Sequence, residues 1–206
     1  ADYASSFNNN IKIIPTTIDT DEYVKQHVEK FNKICIGWSG SITTIQHFEH
    51  AIPFLKEIKK KFGDLVEFKV IGDGKYVNDE LSIKGVAWNK QTEIEDLCAF
   101  DIGIMPLPDD EWANGKCGLK GLQYMALEIP TIMSPVGVNS DIITDGVNGF
   151  LASEIDELIE KISLLIKDEN LRKSIGFEAR KTVVEKYSVF LNKKLYLEEF
   201  NQLLKD

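Results

Sequence analysis

The stretch from Trp112 to Leu151 constrains the chain more than any other. A polar loop, Asp109 to Gly115, leads into a predicted helix from about Lys116 to Glu128, and Pro130 stops it. A β-branched run, Thr131-Ile132-Met133, and a Pro135-containing turn follow at once. The helix breaks a local rule. Lys116 stands in its predicted first turn, where the positive end of the helix dipole disfavours a cation, and Lys120 lies one turn on. Gly118 and Gly121 each cost about 1 kcal/mol relative to alanine in a helix interior. An anion at the helix start accounts for all four residues. The backbone N–H groups of Cys117, Gly118, Leu119 and Lys120 attract it, the lysines neutralise it, and the glycines allow close approach. At helical spacing Lys116, Lys120 and Gln123 share one stripe, beside an apolar face of Leu119, Leu122 and Ala126. Lysines at i and i+4 also occur on ordinary solvated faces.

The rest of the chain alternates strands and helices. Ile11 to Pro15 reads as a short strand after a polar, asparagine-rich start, and residues 20–32 read as a surface segment. Lys33 to Trp38 is a buried-type strand running into Gly37-Trp38-Ser39-Gly40-Ser41, then an amphipathic helix from about Thr43 to Phe62. A strand, a Gly/Ser loop and a helix can present backbone N–H groups to a phosphate, and equally form a plain tight turn. Val66 to Ile71 is a strand ending in Gly72-Asp73-Gly74, and Ser82 to Val86 is another, followed by Trp88. Glu93 to Phe100 is a helix and Asp101 to Pro106 a strand. Val138 to Thr144 is a short helix, and Gly149 to Leu151 a last strand. Helices follow over about 154–167, 169–186 and 189–204, the first capped by Ser153 with Asp156 at the capping-box position. This alternation predicts an α/β fold, a doubly wound parallel sheet covered on both faces. Ligands of such sheets sit at the carboxyl ends of the strands, where the loops after Ile36, Ile71, Val86 and Pro106 fall.

A formal charge of −9 over 206 residues argues against a general nucleic-acid or membrane-surface binder. No apolar run reaches membrane-spanning length, and no signal peptide is visible. Cys35, Cys98 and Cys117 are dispersed and odd in number, which fits a reduced, cytoplasmic setting. Cys117 stands at the predicted helix start, where packing is the simpler role for it. His47 and His50 have zinc-compatible spacing without a further ligand cluster, so no metal is expected. The chain opens at Ala1, which suggests a processed or excised piece.

Gly118-Leu119, Gln123-Tyr124-Met125-Ala126-Leu127, Ile129-Pro130-Thr131-Ile132, Ser134-Pro135-Val136-Gly137 and Asp145 to Leu151 together resemble the signature of group 1 GT-B glycosyltransferases, in their nucleotide-sugar-binding C-terminal domain. The family pattern carries two glutamates that here fall on Gly115 and Gln123, and a glycine that here is Glu128. Pro15 to Asp19 resembles the start of the family's second domain. The resemblance implies a Rossmann-like GT-B half-domain with C-terminal helices. Residues 1–19 would be the connector and first strand from a missing N-terminal acceptor domain, 20–187 the donor-binding domain, and 188–206 a terminal helix. The implied activity is sugar transfer from a nucleoside diphosphate donor to an acceptor hydroxyl in glycan or polysaccharide biosynthesis, inactive without the first domain. No cofactor is implied beyond the nucleotide-sugar substrate. Peripheral membrane association of the full-length enzyme is also an expectation. Gly37, Trp38, Ser39 and Gly40 would sit at the diphosphate, Lys84 and Val86 by the base, and Gln123 would bond a ribose hydroxyl. Lys116 and Lys120 would take over charge that the family places after its glycine loop. Asp109, Asp110 or Glu111 would stand in for the acid lost at Gly115, or form a solvated acidic loop. A nucleotide-sugar epimerase of GT-B fold and a non-catalytic nucleotide-binding domain remain alternatives. A dinucleotide oxidoreductase is disfavoured, because the loop after Ile36 lacks G-x-G-x-x-G.

Overall fold

The computed structural model describes residues 2–29 and 32–204. Residues 30 and 31 of the expected surface segment, Ala1, and residues 205 and 206 of the expected terminal helix lie outside them. The first half of the chain runs α1 (Asp2–Ser5), β1 (Ile34–Ser39), α2 (Ile45–Glu49), α3 (Ile52–Phe62), β2 (Val66–Gly72), β3 (Val77–Asn78), β4 (Ile83–Lys84), β5 (Val86–Ala87), α4 (Glu93–Cys98) and β6 (Ile102–Met105). The second half runs α5 (Glu111–Asn114), α6 (Leu119–Ala126), β7 (Thr131–Met133), α7 (Asn139–Ile142), β8 (Phe150–Leu151), α8 (Ile155–Lys167), α9 (Glu169–Thr182) and α10 (Val189–Leu203).

Six strands form one parallel sheet in the order β5-β2-β1-β6-β7-β8. The order reverses between β1 and β6, so a crevice opens there at the strands' carboxyl ends. Alternation along each strand divides the core. Ile36, Trp38, Phe68, Val70, Ile102, Ile104 and Ile132 face α2, α3 and α8. Cys35, Ile71, Met105 and Met133 face the side covered by α4, α6 and α9. Both faces are therefore covered, as the apolar strand runs require.

Two glycines set the position of α6. Gly37 and Gly103 are paired across β1 and β6. A Cβ on Gly37 would overlap the Phe100 ring, and one on Gly103 would lie 2.5 Å from the Tyr124 ring. Bare strand surface thus lets both aromatics lie on the sheet, with ring centroids 5.8 Å apart. The Tyr124 hydroxyl then accepts the Ser39 N–H at 2.7 Å, at the end of β1. Burial pushes that phenol up to about 12, so it stays neutral and keeps its proton. Leu122 and Met125 of α6 are fully buried, each contributing roughly 1.5–3 kcal/mol. The start of α6 is thereby held against the β1 loop.

Several expected elements are corrected. The helix after the polar loop starts at Leu119, not Lys116; a four-residue helix, α5, precedes it. Gly118 adopts φ +71°, a left-handed conformation that breaks the helical path and suits only glycine cheaply. Ile11 to Pro15 forms no strand among the described residues; Ile13 is 69% exposed and has no strand beside it. Instead Ile18 bridges Ser188 in parallel, its N–H donating to the Tyr187 carbonyl at 2.8 Å while Val189 N–H donates back at 2.9 Å. The 82–86 strand divides. Ile83–Lys84 pairs antiparallel with β3, and Val86–Ala87 joins the main sheet at its edge. The 43–62 helix is broken at His50–Ala51, where Pro53 enters the first turn of α3 and cannot donate to a preceding turn. Ser153 does not cap α8; its N-cap residue is Glu154, without a side-chain cap bond. The helix expected over 169–186 turns into a wider π turn at Val183.

Candidate functional site

A cavity of about 370 Å³ opens at the strand-order reversal. Its walls come from the loop after β1 (Ser39, Gly40, Ser41, Thr44), the end of β6 (Met105), the α5–α6 connection (Lys116, Cys117, Gly118), α6 (Leu119, Lys120, Gln123), and Trp88 with Glu93. The first intrahelical bond of α6 runs from Leu122 N–H to Gly118 O at 3.1 Å. The N–H groups of Leu119, Lys120 and Gly121 precede it and have no partner within the helix. An eight-residue helix thus presents its positive end beside the glycine loop of β1.

The two lysines add to that positive end. Lys120 Nζ lies 5.5 Å from the Trp38 ring centroid, and Lys116 Nζ lies 4.9 Å from that of Trp112. Among the described residues neither ammonium forms a salt bridge. Burial, then the charge of Lys116, holds Lys120 below the usual lysine range. Charge held at such a cost, with aromatic faces in place of carboxylates, leaves the ammonium ready for an incoming anion. Nearby His47 is 4% exposed, and neither ring nitrogen has a hydrogen-bond partner among the described residues. Burial and both lysines lower its basicity, so it is neutral at pH 7. No group of three His, Cys, Asp or Glu side chains among the described residues is arranged to hold a metal ion.

A second cluster borders the cavity through Trp88, Glu93 and Gln123. Glu93 Oε1 accepts the Trp88 indole N–H at 2.9 Å and the Gln123 amide N–H at 3.1 Å. Glu93 Oε2 accepts the Tyr23 hydroxyl at 2.8 Å. The Gln123 amide also donates to Tyr23 Oη at 2.8 Å. Burial, more than its neighbours, pushes the Tyr23 phenol up to about 12. Tyr23 is delivered by the segment after Ile18. Arg180 of α9 pins that segment by donating to the carbonyls of Tyr23 (2.7 Å) and Thr20 (3.0 Å), and it also donates to the Ala126 carbonyl.

Of the expected site residues, the structure brings Ser39, Gly40, Lys116, Cys117, Gly118, Leu119, Lys120 and Gln123 together around this cavity. Four stand elsewhere. Gly37 lies under Phe100, and Trp38 is buried in the α2–α3 core, touching the site only as the surface beneath Lys120. Lys84 is exposed in the β3–β4 ribbon, and Val86 packs against the α4 side. The expected reason for the glycines also changes. A Cβ on Gly121 would lie 2.6 Å from the Met133 side chain, so that glycine serves packing rather than ligand approach. A Cβ on Gly118 would overlap Ile142. Leu119, expected on the apolar face, is exposed at the cavity mouth. Asp110 caps α5 by accepting Ala113 N–H at 2.7 Å, and Asp109 accepts the Asn114 amide at 2.8 Å. In this structure those two carboxylates hold the loop together. Glu93, Trp88 and Tyr23 are new to the site.

A family model described as glycosyl transferases group 1 matches residues 33–168. The chain belongs to this family. Among curated relatives, the capsular polysaccharide biosynthesis glycosyltransferase CapM of Staphylococcus aureus is 27% identical over 192 residues, 88% of this chain and 50% of CapM. The chain spans about half the length of that relative. Among solved structures, Anabaena Alr3699/HepE in complex with UDP and glucose superposes with a TM-score of 0.74 at 16% identity, covering 92% of this chain and 56% of HepE. The C-terminal domain of the group 1 protein LpcC from Francisella tularensis matches with a TM-score of 0.66 at 21% identity, over 84% of this chain and 99% of that domain. These superpositions show the Rossmann-like GT-B fold. No described helix is long and apolar enough to cross a membrane.

Proposed function

We propose that this chain is the donor-binding half of a glycosyltransferase. It holds a nucleoside diphosphate sugar with the diphosphate against Lys116, Lys120 and the start of α6. One observation carries the reading: two lysines without carboxylate partners and a helix N-terminus converge on the β1 loop at the strand-order reversal. The reaction is transfer of the sugar to an acceptor hydroxyl, in glycan or polysaccharide biosynthesis. Its barrier falls when the departing diphosphate is stabilised by preorganised charge and N–H donors, which this wall supplies. CapM's role in capsular polysaccharide biosynthesis and the UDP held by HepE support the reading. In this reading residues 20–187 form the donor-binding domain, and residues 1–19 and 188–206 join it to an acceptor-binding domain. A cytoplasmic setting fits the odd number of dispersed cysteines, and peripheral membrane association belongs to the full-length enzyme.

Calorimetry with UDP, GDP and ADP tests the site. At least one should bind at millimolar concentration or below. Lys120→Ala should weaken it about tenfold, as removing a charge-assisted contact does. No binding by any of the three sinks the site. Measurable sugar transfer by this chain alone sinks its assignment as half an enzyme.

A further inference from the structure

We propose that Glu93 of α4, hydrogen-bonded to Gln123 of α6, reads the ribose of the bound donor. This rests on the nucleoside diphosphate reading above.

The argument starts from charge. Among the described residues Glu93 is the one carboxylate lining the cavity, which Lys116 and Lys120 also line. It is fixed by donors from three places in the chain: Tyr23, Trp88 and Gln123. A carboxylate offers about four acceptor positions. Two on Oε1 and one on Oε2 are used by described residues, which leaves one on Oε2. The orientation of the Gln123 amide is forced. The atom 3.1 Å from the carboxylate must be the nitrogen, since a carboxylate only accepts. Its two N–H bonds go to Glu93 and Tyr23. The Gln123 carbonyl oxygen has no donor among the described residues. Two open acceptors therefore remain on side chains that line the same cavity as the lysines and are joined to each other at 3.1 Å. A vicinal diol carries two donors, and a ribonucleoside diphosphate presents one away from its phosphates.

The same geometry explains why position 123 is an amide. A glutamate there would set a second carboxylate about 3 Å from the first, and two such groups do not both ionise comfortably. The amide bridges where an acid would repel. Position 93 and position 123 thus carry one negative charge between them.

The test compares UDP with 2′,3′-dideoxy-UDP and with pyrophosphate, by calorimetry on the whole chain. The wild type should prefer UDP over the dideoxy nucleotide about tenfold or more, the worth of a hydrogen bond to a charged group. Glu93→Ala should bring the two nucleotides to near-equal affinity while pyrophosphate binding is kept. Circular dichroism checks its fold, and Glu93→Gln, of the same shape, stands in if it fails. The exchange variant Glu93→Gln/Gln123→Glu should restore the preference. Equal binding of both nucleotides by the wild type, or a preference that survives in a folded Glu93→Ala, overturns the role of Glu93 alone. Loss of all binding, pyrophosphate included, overturns the donor-site reading and this inference with it.

Discussion

Lys120 shows how one side chain trades stability for a site. Its charge is disfavoured by burial and by Lys116, and nothing in the described fold neutralises it. In the unfolded chain that lysine regains its ordinary affinity for protons. Between the lowered folded value and the unfolded one, the unfolded state binds more protons, so stability rises with pH there. Below that window the penalty is present in full. Lys120→Met keeps the apolar stem and removes the charge. Its melting temperature at pH 7 should exceed the wild type's by about 1–4 °C, the shift that roughly 0.5–1 kcal/mol produces in a chain of this size. The gap between the two proteins should close as the pH is raised toward the ordinary lysine range. A wild type that melts above the variant at pH 7 would show that the charge is compensated. The residue that looked misplaced in the sequence is misplaced in the free protein, which is what a ligand-neutralised lysine must be.

At the scale of elements, α9 reaches the site without touching the ligand cavity. Arg180 joins the carboxyl end of α6 to the segment carrying Tyr23. Its cation also complements the negative end of the α6 dipole. Arg180→Met should leave three carbonyls without their donor and destabilise the chain by about 2 kcal/mol, measured by urea unfolding. Tyr23 should then drift from Glu93, and UDP affinity should fall more than pyrophosphate affinity. These links also mark what could be read from the sequence. Strand and helix order was legible because apolar runs and periodicity are local, and the lysine-bearing wall was legible because its residues lie within one short stretch. The second cluster was not. Tyr23 and Gln123 are 100 residues apart, Tyr23 and Glu93 are 70 apart, and no local pattern pairs them. The start of α6 was misjudged because Lys116 and Cys117 are acceptable helix formers. Only the left-handed turn at Gly118 excludes them, and the packing of Ile142 beside it is a tertiary fact. Ile11 to Pro15 reads as a strand by composition, but a strand needs a neighbour to pair with, and none among the described residues reaches it.

At the scale of the molecule, α10 is the element left uncovered. Phe190, Leu197, Phe200 and Leu204 recur at helical spacing, and each is at least 60% exposed. Apolar surface of that extent rarely stays bare in a soluble monomer. The isolated chain should associate reversibly at tens of micromolar in sedimentation velocity, and Leu197→Glu/Phe200→Glu should return it to a monomer. A wild type that stays monomeric at several hundred micromolar would show that this stripe is tolerated in water. The other large-scale feature is the single bridge between Ile18 and Ser188. The sheet and both its helical layers lie between those two residues, so the polypeptide enters and leaves the unit at one point on its surface. A unit closed in this way is portable: it can be spliced into another chain, or its ends joined and reopened at a surface loop, without unthreading the sheet. The cavity at the strand-order reversal, built wholly inside that closed loop, would travel with it. Whatever that cavity binds can then be exchanged between chains as one cassette, with one two-stranded crossing as the seam.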